Sequence, residues 1–389
     1  MSTGRMSWLV DLVCLLSDGL RTVVRTGRTP GQRLRHLGLL VLWCTLLPAL
    51  ALGHRLCLAL DTLFWPDLRG ARPERPLIVL GNHRTGSTFL HRLLARDTDT
   101  FSTARLYDVL FPSLLQKRGF AALGRLDVRL GRPLGRALAW LDARWATDYR
   151  NVHPMGIALP EEDEYWLLLW GRSAVLWELF PRVDRLRRHF WVDTEMPRWE
   201  SDRALAAYAA CAARCHRFHG GATWLTKNPL FTPKAAALRR AFPDARFLVL
   251  VRDPHAVVPS TASLLHAAYR GVGSVGPDET RMEVVHEICH RFYDEPLAAL
   301  EGLPPDQLVT VRYEDLKADL AGELGRALGQ LGLPLTDALR QAIDENDRRS
   351  YRRTHAYDMA DWGLDAEGLR RDYRSTLTAW GYPLGAETG

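Results

Sequence analysis

The 389 residues include only six cysteines, at positions 14, 44, 57, 211, 215 and 289, without the spacing of a secreted disulfide framework. That scarcity points to a reducing compartment. Aromatic side chains make up only 9% of the chain, and basic residues are not interleaved with them as in RNA-binding modules. Internal repeats are also lacking. The net charge of +6 comes mainly from scattered arginines. It suits an anionic small molecule or an anionic membrane face, and nucleic acid is not expected as a partner. What the chain does have is 47% hydrophobic residues, enough to bury a substantial core.

The most informative stretch is Leu77-Ile-Val-Leu-Gly81 running into Asn82-His83-Arg84-Thr85-Gly86-Ser87-Thr88. A short apolar run ends in a turn rich in Gly and hydroxyls, and an amphipathic helix pattern follows with Leu90, Leu93 and Leu94 on one face. Unpaired N–H groups at a helix start point at a bound anion, and Gly86 lets the backbone approach it. Thr85, Ser87 and Thr88 add hydroxyl donors, and Arg84 adds a fixed positive fork. A nucleotide-triphosphate loop reads G-x-x-x-x-G-K-[ST]. Residues 81–88 match its glycine spacing but lack its lysine, and no apolar strand ends in a lone Asp for magnesium.

A second site follows another buried-strand run, Phe247-Leu-Val-Leu-Val251. It reads Arg252-Asp253-Pro254, with Ser260 eight residues after Arg252. Asp-Pro favours a helix start, and two helical turns carry Ser260 onward along that helix. Alone, the motif is also compatible with a salt-bridged helix cap.

Together the two sites resemble the sulfotransferases that use 3′-phosphoadenosine 5′-phosphosulfate (PAPS), most closely a bacterial branch whose first loop reads P-R-S-G-T-T. The resemblance runs from about residue 61 into the C-terminal third. It takes in Pro160-Glu-Glu-Asp-Glu164, Trp224-Leu-Thr-Lys-Asn-Pro229, Phe242-Pro-Asp-Ala-Arg246 and Arg312-Tyr-Glu-Asp-Leu316. It implies that residues 84–88 hold the 5′-phosphosulfate, Arg252 and Ser260 hold the 3′-phosphate, and Arg312 or Tyr313 touches the nucleotide. Lys227 and Arg84 would stabilise charge during transfer, and no divalent metal is required. His83 stands where the branch usually has Pro. Pro229 stands where the phenol and steroid enzymes place a catalytic His, so the base must come from elsewhere.

Three positions offer a base: Asp108, favoured for its place after the first cofactor helix, then Glu162 in the acidic run 161–164, then His153. Each also has a structural reading, as a cap, a solvated helix start or a core histidine. Cys211, Cys215, His216 and His219 raise a zinc question, but their Ala-rich helical setting reads more simply as small core residues. The expected activity is sulfuryl transfer to a hydroxyl of a lipophilic acceptor. A small-molecule kinase using ATP and a non-catalytic nucleotide-binding protein are the rival classes.

The expected fold is α/β: a P-loop-like parallel sheet flanked by helices on both faces, preceded by a helical, membrane-associated segment. Residues 1–70 form that segment and residues 71–389 the transferase domain. Strands are expected at 76–81, 223–226, 246–251 and 308–311, with helices at 87–96, across 104–149, and at 161–170, 201–219, 232–241, 254–269, 279–300 and 316–331. Residues 271–277 read as a flexible loop, a candidate lid over the acceptor. Within the N-terminal segment, residues 37–53 form an uncharged run of seventeen, short of a bilayer span and interrupted by Pro48. Arg21, Arg25, Arg28, Arg33 and Arg35 lie before it, suited to anionic headgroups. An interfacial or re-entrant hairpin, a helical pack on the domain and a spanning helix are the possible forms. The polar-containing section ahead of the run is too long for a signal peptide, although Ala49-Leu50-Ala51 fits a cleavage triplet. The expectation is a cytoplasmic protein attached peripherally to the inner membrane face.

Overall fold

The structure is a computed structural model, and it describes residues 3–25, 29–145, 156–180, 182–272, 282–348 and 359–382. His153 and residues 273–277 of the expected lid lie outside the described residues.

Five parallel strands form the sheet, in the order β2-β3-β1-β4-β5. They are β1 (Leu77–Gly81), β2 (Phe101–Ser102), β3 (Thr223–Lys227), β4 (Arg246–Val251) and β5 (Leu308–Arg312). Every residue of β1, β3 and β4 is buried, as parallel strands covered by helices on both faces require. The pleat divides β4 between two cores. Phe247, Val249 and Val251 face a large cluster with Trp166, Tyr208, Trp224 and Phe292, while Leu248 and Leu250 face a smaller one with Leu90, Leu94, Val309 and Leu328. After β1 the chain continues to the β3 side of the sheet, and after β4 to the β5 side. The two loops therefore diverge and leave a crevice beyond the carboxyl ends of the strands.

Most expected elements appear within a few residues. Residues 161–170 instead form a 3₁₀ turn, Asp163–Trp170, and the expected helix 232–241 is a 3₁₀ turn, Pro229–Lys234, followed by Ala235–Ala241. Pro233 inside that stretch removes an amide donor that a full helix would use. The two-residue β2 and the short helices Val175–Leu179 and Val192–Glu195 were not expected.

The N-terminal segment departs more instructively. A Thr3–Arg25 helix precedes a continuous helix from Pro30 to Phe64, about 52 Å long. Pro48 does not break it. A π turn at Leu42–Leu46 just before the proline widens the coil where the missing N–H would otherwise disrupt the bonding. This helix is long and apolar enough to cross a bilayer, and only 17% of its most apolar eighteen-residue stretch is buried. The same segment also packs on the body. Leu15 and Leu40 join the large core cluster. Asp11 meets Arg185, Arg188 and His189. Asp61, fully buried, accepts from Arg214, from the Ser113 hydroxyl and from the amides of Leu114 and Leu115.

Candidate functional site

The first loop is shaped by three residues with positive φ. Gly81 (φ 147°) passes so close to the Leu250 carbonyl that any Cβ there would collide with it. Arg84 adopts φ 65°, unusual for a side chain with a Cβ. Gly86 (φ 83°) starts the Ser87–Leu94 helix without a side-chain cap, so its first amides point into the crevice unmasked. The Thr232 hydroxyl braces the loop by accepting from Gly81 N–H and donating to its carbonyl, both at 2.9 Å. Thr85 donates to the Asn82 carbonyl at 2.8 Å, which turns its hydroxyl inward.

The second motif closes onto the first. Arg84 Nε donates to Ser260 Oγ at 2.9 Å, and an Arg252 guanidinium N–H donates to the Arg84 carbonyl at 2.7 Å. Arg252 also lies over the Tyr313 ring, 4.4 Å from its centroid, and Tyr293 O–H holds the Arg252 carbonyl at 2.6 Å. The Tyr313 ring lies against Gly86, where an added Cβ would be 2.8 Å away. Arg84, Ser260, Arg252, Gly86 and Tyr313 thus form one wall. Arg312 is not part of it: its guanidinium donates to Gly381 O and covers Tyr382. Glu314 accepts from the Tyr382 hydroxyl and the Asp253 amide, a structural use.

Across the crevice, Lys227 Nζ at the end of β3 donates to Thr88 Oγ1 at 2.9 Å and to Glu162 Oε1 at 2.7 Å. Tyr165 O–H approaches the other Glu162 oxygen at 3.3 Å. The residues beside this pair are braced from below. Asp163 accepts from Thr226 and Tyr208 at 2.7 and 2.8 Å, and burial pushes its carboxyl up to about 7. Glu178, also raised by burial, to about 8, lies 3.3 Å from His83 Nε2 without hydrogen-bond alignment. Burial pushes His83 down to about 4, so near neutrality the two form an uncharged pair. Asp163 belongs to the acidic run the sequence singled out, whereas Tyr165, Thr232 and Glu178 carried no sequence signal beyond the closeness of Tyr165 to that run.

Asp108 has other partners. It is fully buried, one carboxylate oxygen 2.5 Å from Lys117 Nζ and the other taken by the Arg105 amide and His219. Burial alone would raise its pKa, but the His219 hydrogen bond and the Lys117 charge bring it below the usual carboxylate range. Both oxygens are engaged and solvent is excluded, which suits a structural ion pair and not a proton acceptor for substrate. Among the described residues, Asp108, Cys215 and His219 are the one group whose ligand atoms cluster as for a metal, and the Lys117 ammonium already neutralises that carboxylate. Cys211 is packed in the core, and His216 bonds to Ser102.

These features can be set beside known proteins. The curated relatives include the omega-hydroxy-beta-dihydromenaquinone-9 sulfotransferases Stf3 of Mycobacterium bovis and Mycobacterium tuberculosis, each 29% identical over 273 residues. The match takes in 67% of this chain and 63% of the relatives' length. Among solved structures, sulfotransferase STF9 from Mycobacterium avium superposes with a TM-score of 0.74 at 22% identity, covering 97% of this chain and 92% of that one. STF1 from Mycobacterium tuberculosis gives 0.65 at 21%, covering 95% and 93%. The model of the sulfotransferase family matches residues 76–337, from the start of β1 past β5, and so contains both arginine corners and the Lys227–Glu162 pair. On that match the chain belongs to the sulfotransferase family.

Proposed function

We propose that the protein transfers the sulfuryl group of PAPS to a hydroxyl of a lipophilic acceptor. The observation that carries the reading is the meeting of the two arginine corners, Arg84 on Ser260 and Arg252 on the Arg84 carbonyl, opposite Lys227 and Glu162. An uncapped helix start, two guanidinium groups and a glycine cradle that a Cβ would fill against Tyr313 suit a ligand with phosphate at both ends. Residues 84–88 take the 5′ end, Arg252 with Ser260 the 3′ end, and Tyr313 flanks the nucleotide. When bound, PAPS supplies an activated sulfuryl group.

Glu162 is the base: its carboxylate takes the proton from the acceptor hydroxyl. Lys227, between Glu162 and Thr88, places positive charge where negative charge grows on the departing oxygen, and Arg84 does the same at the loop. The lysine also orients Glu162 before the acceptor arrives. Asp108 is not offered for this role, because its charge is spent on Lys117.

The acceptor class draws on the name of the mycobacterial relatives, which sulfate a hydroxylated menaquinone. A hydroxylated isoprenoid quinone or similar lipid fits the apolar N-terminal helices, which we place at the cytoplasmic membrane surface with Arg21, Arg33 and Arg35 among the headgroups.

Full-length protein, a total lipid extract and either sulfur-labelled PAPS or γ-phosphorus-labelled ATP provide the test. Label should pass from PAPS to lipid without magnesium. Glu162→Gln should slow that transfer by roughly 10²–10⁴ while calorimetric affinity for 3′-phosphoadenosine 5′-phosphate stays unchanged. Transfer from ATP alone would establish the kinase instead. Nucleotide binding without transfer to any acceptor would establish a non-catalytic binder.

A further inference from the structure

The Leu114–Arg129 and Pro133–Trp145 helices form a hairpin whose outer part buries almost nothing. Between residues 118 and 140 only Asp127 is buried, yet this stretch exposes Phe120, Leu123, Leu126, Leu130, Leu134 and Leu138, each between 46% and 66% accessible. Leu123, Leu126 and Leu130 follow helical spacing, as do Leu134 and Leu138, so each helix carries an apolar stripe turned outward. A soluble surface seldom leaves so many large apolar side chains together without a partner.

The shape of this knuckle is built. Asp127 accepts from the amides of Leu134 and Gly135 at 2.8 and 2.9 Å, which caps the second helix, and its carbonyl accepts from Arg132 N–H at 2.8 Å. Gly131 and Arg132 make the turn with φ of 81° and 62°. The root is fixed as firmly. Asp61 of the long N-terminal helix holds the amides of Leu114 and Leu115, and Lys117 pairs with Asp108. Next to that root the N-terminal helix exposes Leu63 and Phe64, and Arg118 covers Trp65.

Charge selects the occupant. Arg118, Arg125, Arg129, Arg132 and Arg136 decorate the hairpin, and the only acid among residues 118–140 is Asp127, already used as a cap. A twofold dimer would bring two copies of this arginine-rich hairpin together and concentrate positive charge beside the contact. An anionic lipid surface complements the hairpin's charge, and arginine stems lie along apolar surface while their heads stay with the phosphates.

We infer that this hairpin is a second membrane-contacting element, which seats its apolar knuckle below anionic headgroups beside the N-terminal helix. The inference shares with the proposed function the premise that a bilayer is a partner, but needs neither the donor nor the reaction. Ahead of the hairpin, residues 104 and 105 pair with residues 160 and 161 beside Glu162, through the Arg105–Pro160 bridge and the Glu161 amide on Ala104 O.

Flotation of full-length protein with phosphatidylcholine vesicles, with and without phosphatidylglycerol, tests it. Two triple variants are compared with the unmodified chain: L123E/L126E/L130E on the hairpin and L50E/L52E/L56E on the N-terminal helix. Both should lower the bound fraction on anionic vesicles, the hairpin variant at least about tenfold, with unchanged far-ultraviolet circular dichroism melts. A second hairpin variant, R125Q/R129Q/R136Q, should reduce the preference for anionic vesicles and covers the case of misfolding in the first. Loss confined to the N-terminal variant overturns the inference and leaves the membrane reading standing. No flotation of the unmodified chain overturns both. Unchanged flotation with a dimer split by the hairpin changes, seen by sedimentation, assigns the face to self-association instead.

Discussion

At the residue scale, two carboxylates have contrasting surroundings. Glu162 is 13% accessible and shares Lys227 with Thr88, whereas Asp108 is sealed against Lys117 and His219. Asp108→Asn should therefore act on stability. It strands a buried ammonium, worth about 3–5 kcal/mol, and should lower the melting temperature while each folded molecule keeps most of its transfer rate. A variant that melts normally and loses transfer would return the base to Asp108. Asp163 allows a pH test. Burial raises it to about 7, and the unfolded chain titrates near the ordinary 3.8. The folded state thus holds a proton the unfolded state lacks between about pH 4 and 7. The stability from this group is complete below that window and is lost as pH rises through it. Melts of Asp163→Asn against the unmodified chain should show the variant gaining relative stability as pH rises from about 5 to 8; a constant difference would deny the raised pKa. The strand-to-loop corners carrying Arg84 to Thr88 and Arg252 could be placed from the sequence because they follow apolar strand runs directly, and the fold brings Arg84, Arg252 and Ser260 together. The difference in setting between Asp108 and Glu162 was not, because Lys117 and His219 are brought to Asp108 only in the folded chain.

At the scale of elements, the strand-turn-helix unit from Leu77 to Leu94 does most to create the crevice, and Gly86 is the point where it meets Tyr313. Its φ of 83° and the nearby Tyr313 ring both oppose a side chain. Gly86→Ala should weaken calorimetric affinity for 3′-phosphoadenosine 5′-phosphate by at least about tenfold, because a strain of 1–3 kcal/mol must be met by moving the loop or the ring. Unchanged affinity would show that Tyr313 yields freely and is no wall of the donor site. Strand positions were readable because fully buried parallel strands are continuous apolar runs. The course of residues 171–197 was not, since its short helices have no period long enough to register. Pro48 was misleading for a similar reason: whether proline ends a helix depends on the backbone before it, and a π turn there leaves room.

At the scale of the whole molecule, the N-terminal helices are both outward apolar surface and part of the packed body. Asp61 is the main rivet, joining the long helix to Arg214 and to the root of the hairpin. Asp61→Ala should destabilise the protein by about 3–5 kcal/mol, since Arg214 is left buried without its charge partner. Hydrogen exchange should then show amides of Leu114 and Leu115 losing protection ahead of β1 and β4. Uniform loss everywhere would mean that Asp61 supports the fold at large and is no local tie. Composition indicated the apolar character of the first seventy residues, but single acids such as Asp11 and Asp61 give no hint of their distant partners. The arginine corners have a consequence for engineering. Because Arg252 tethers the carbonyl of left-handed Arg84, the 81–88 turn is not a portable cassette. Transplanted into another scaffold without its distant guanidinium, it would arrive untied at its most strained residue, so a redesigner must move both corners together or neither.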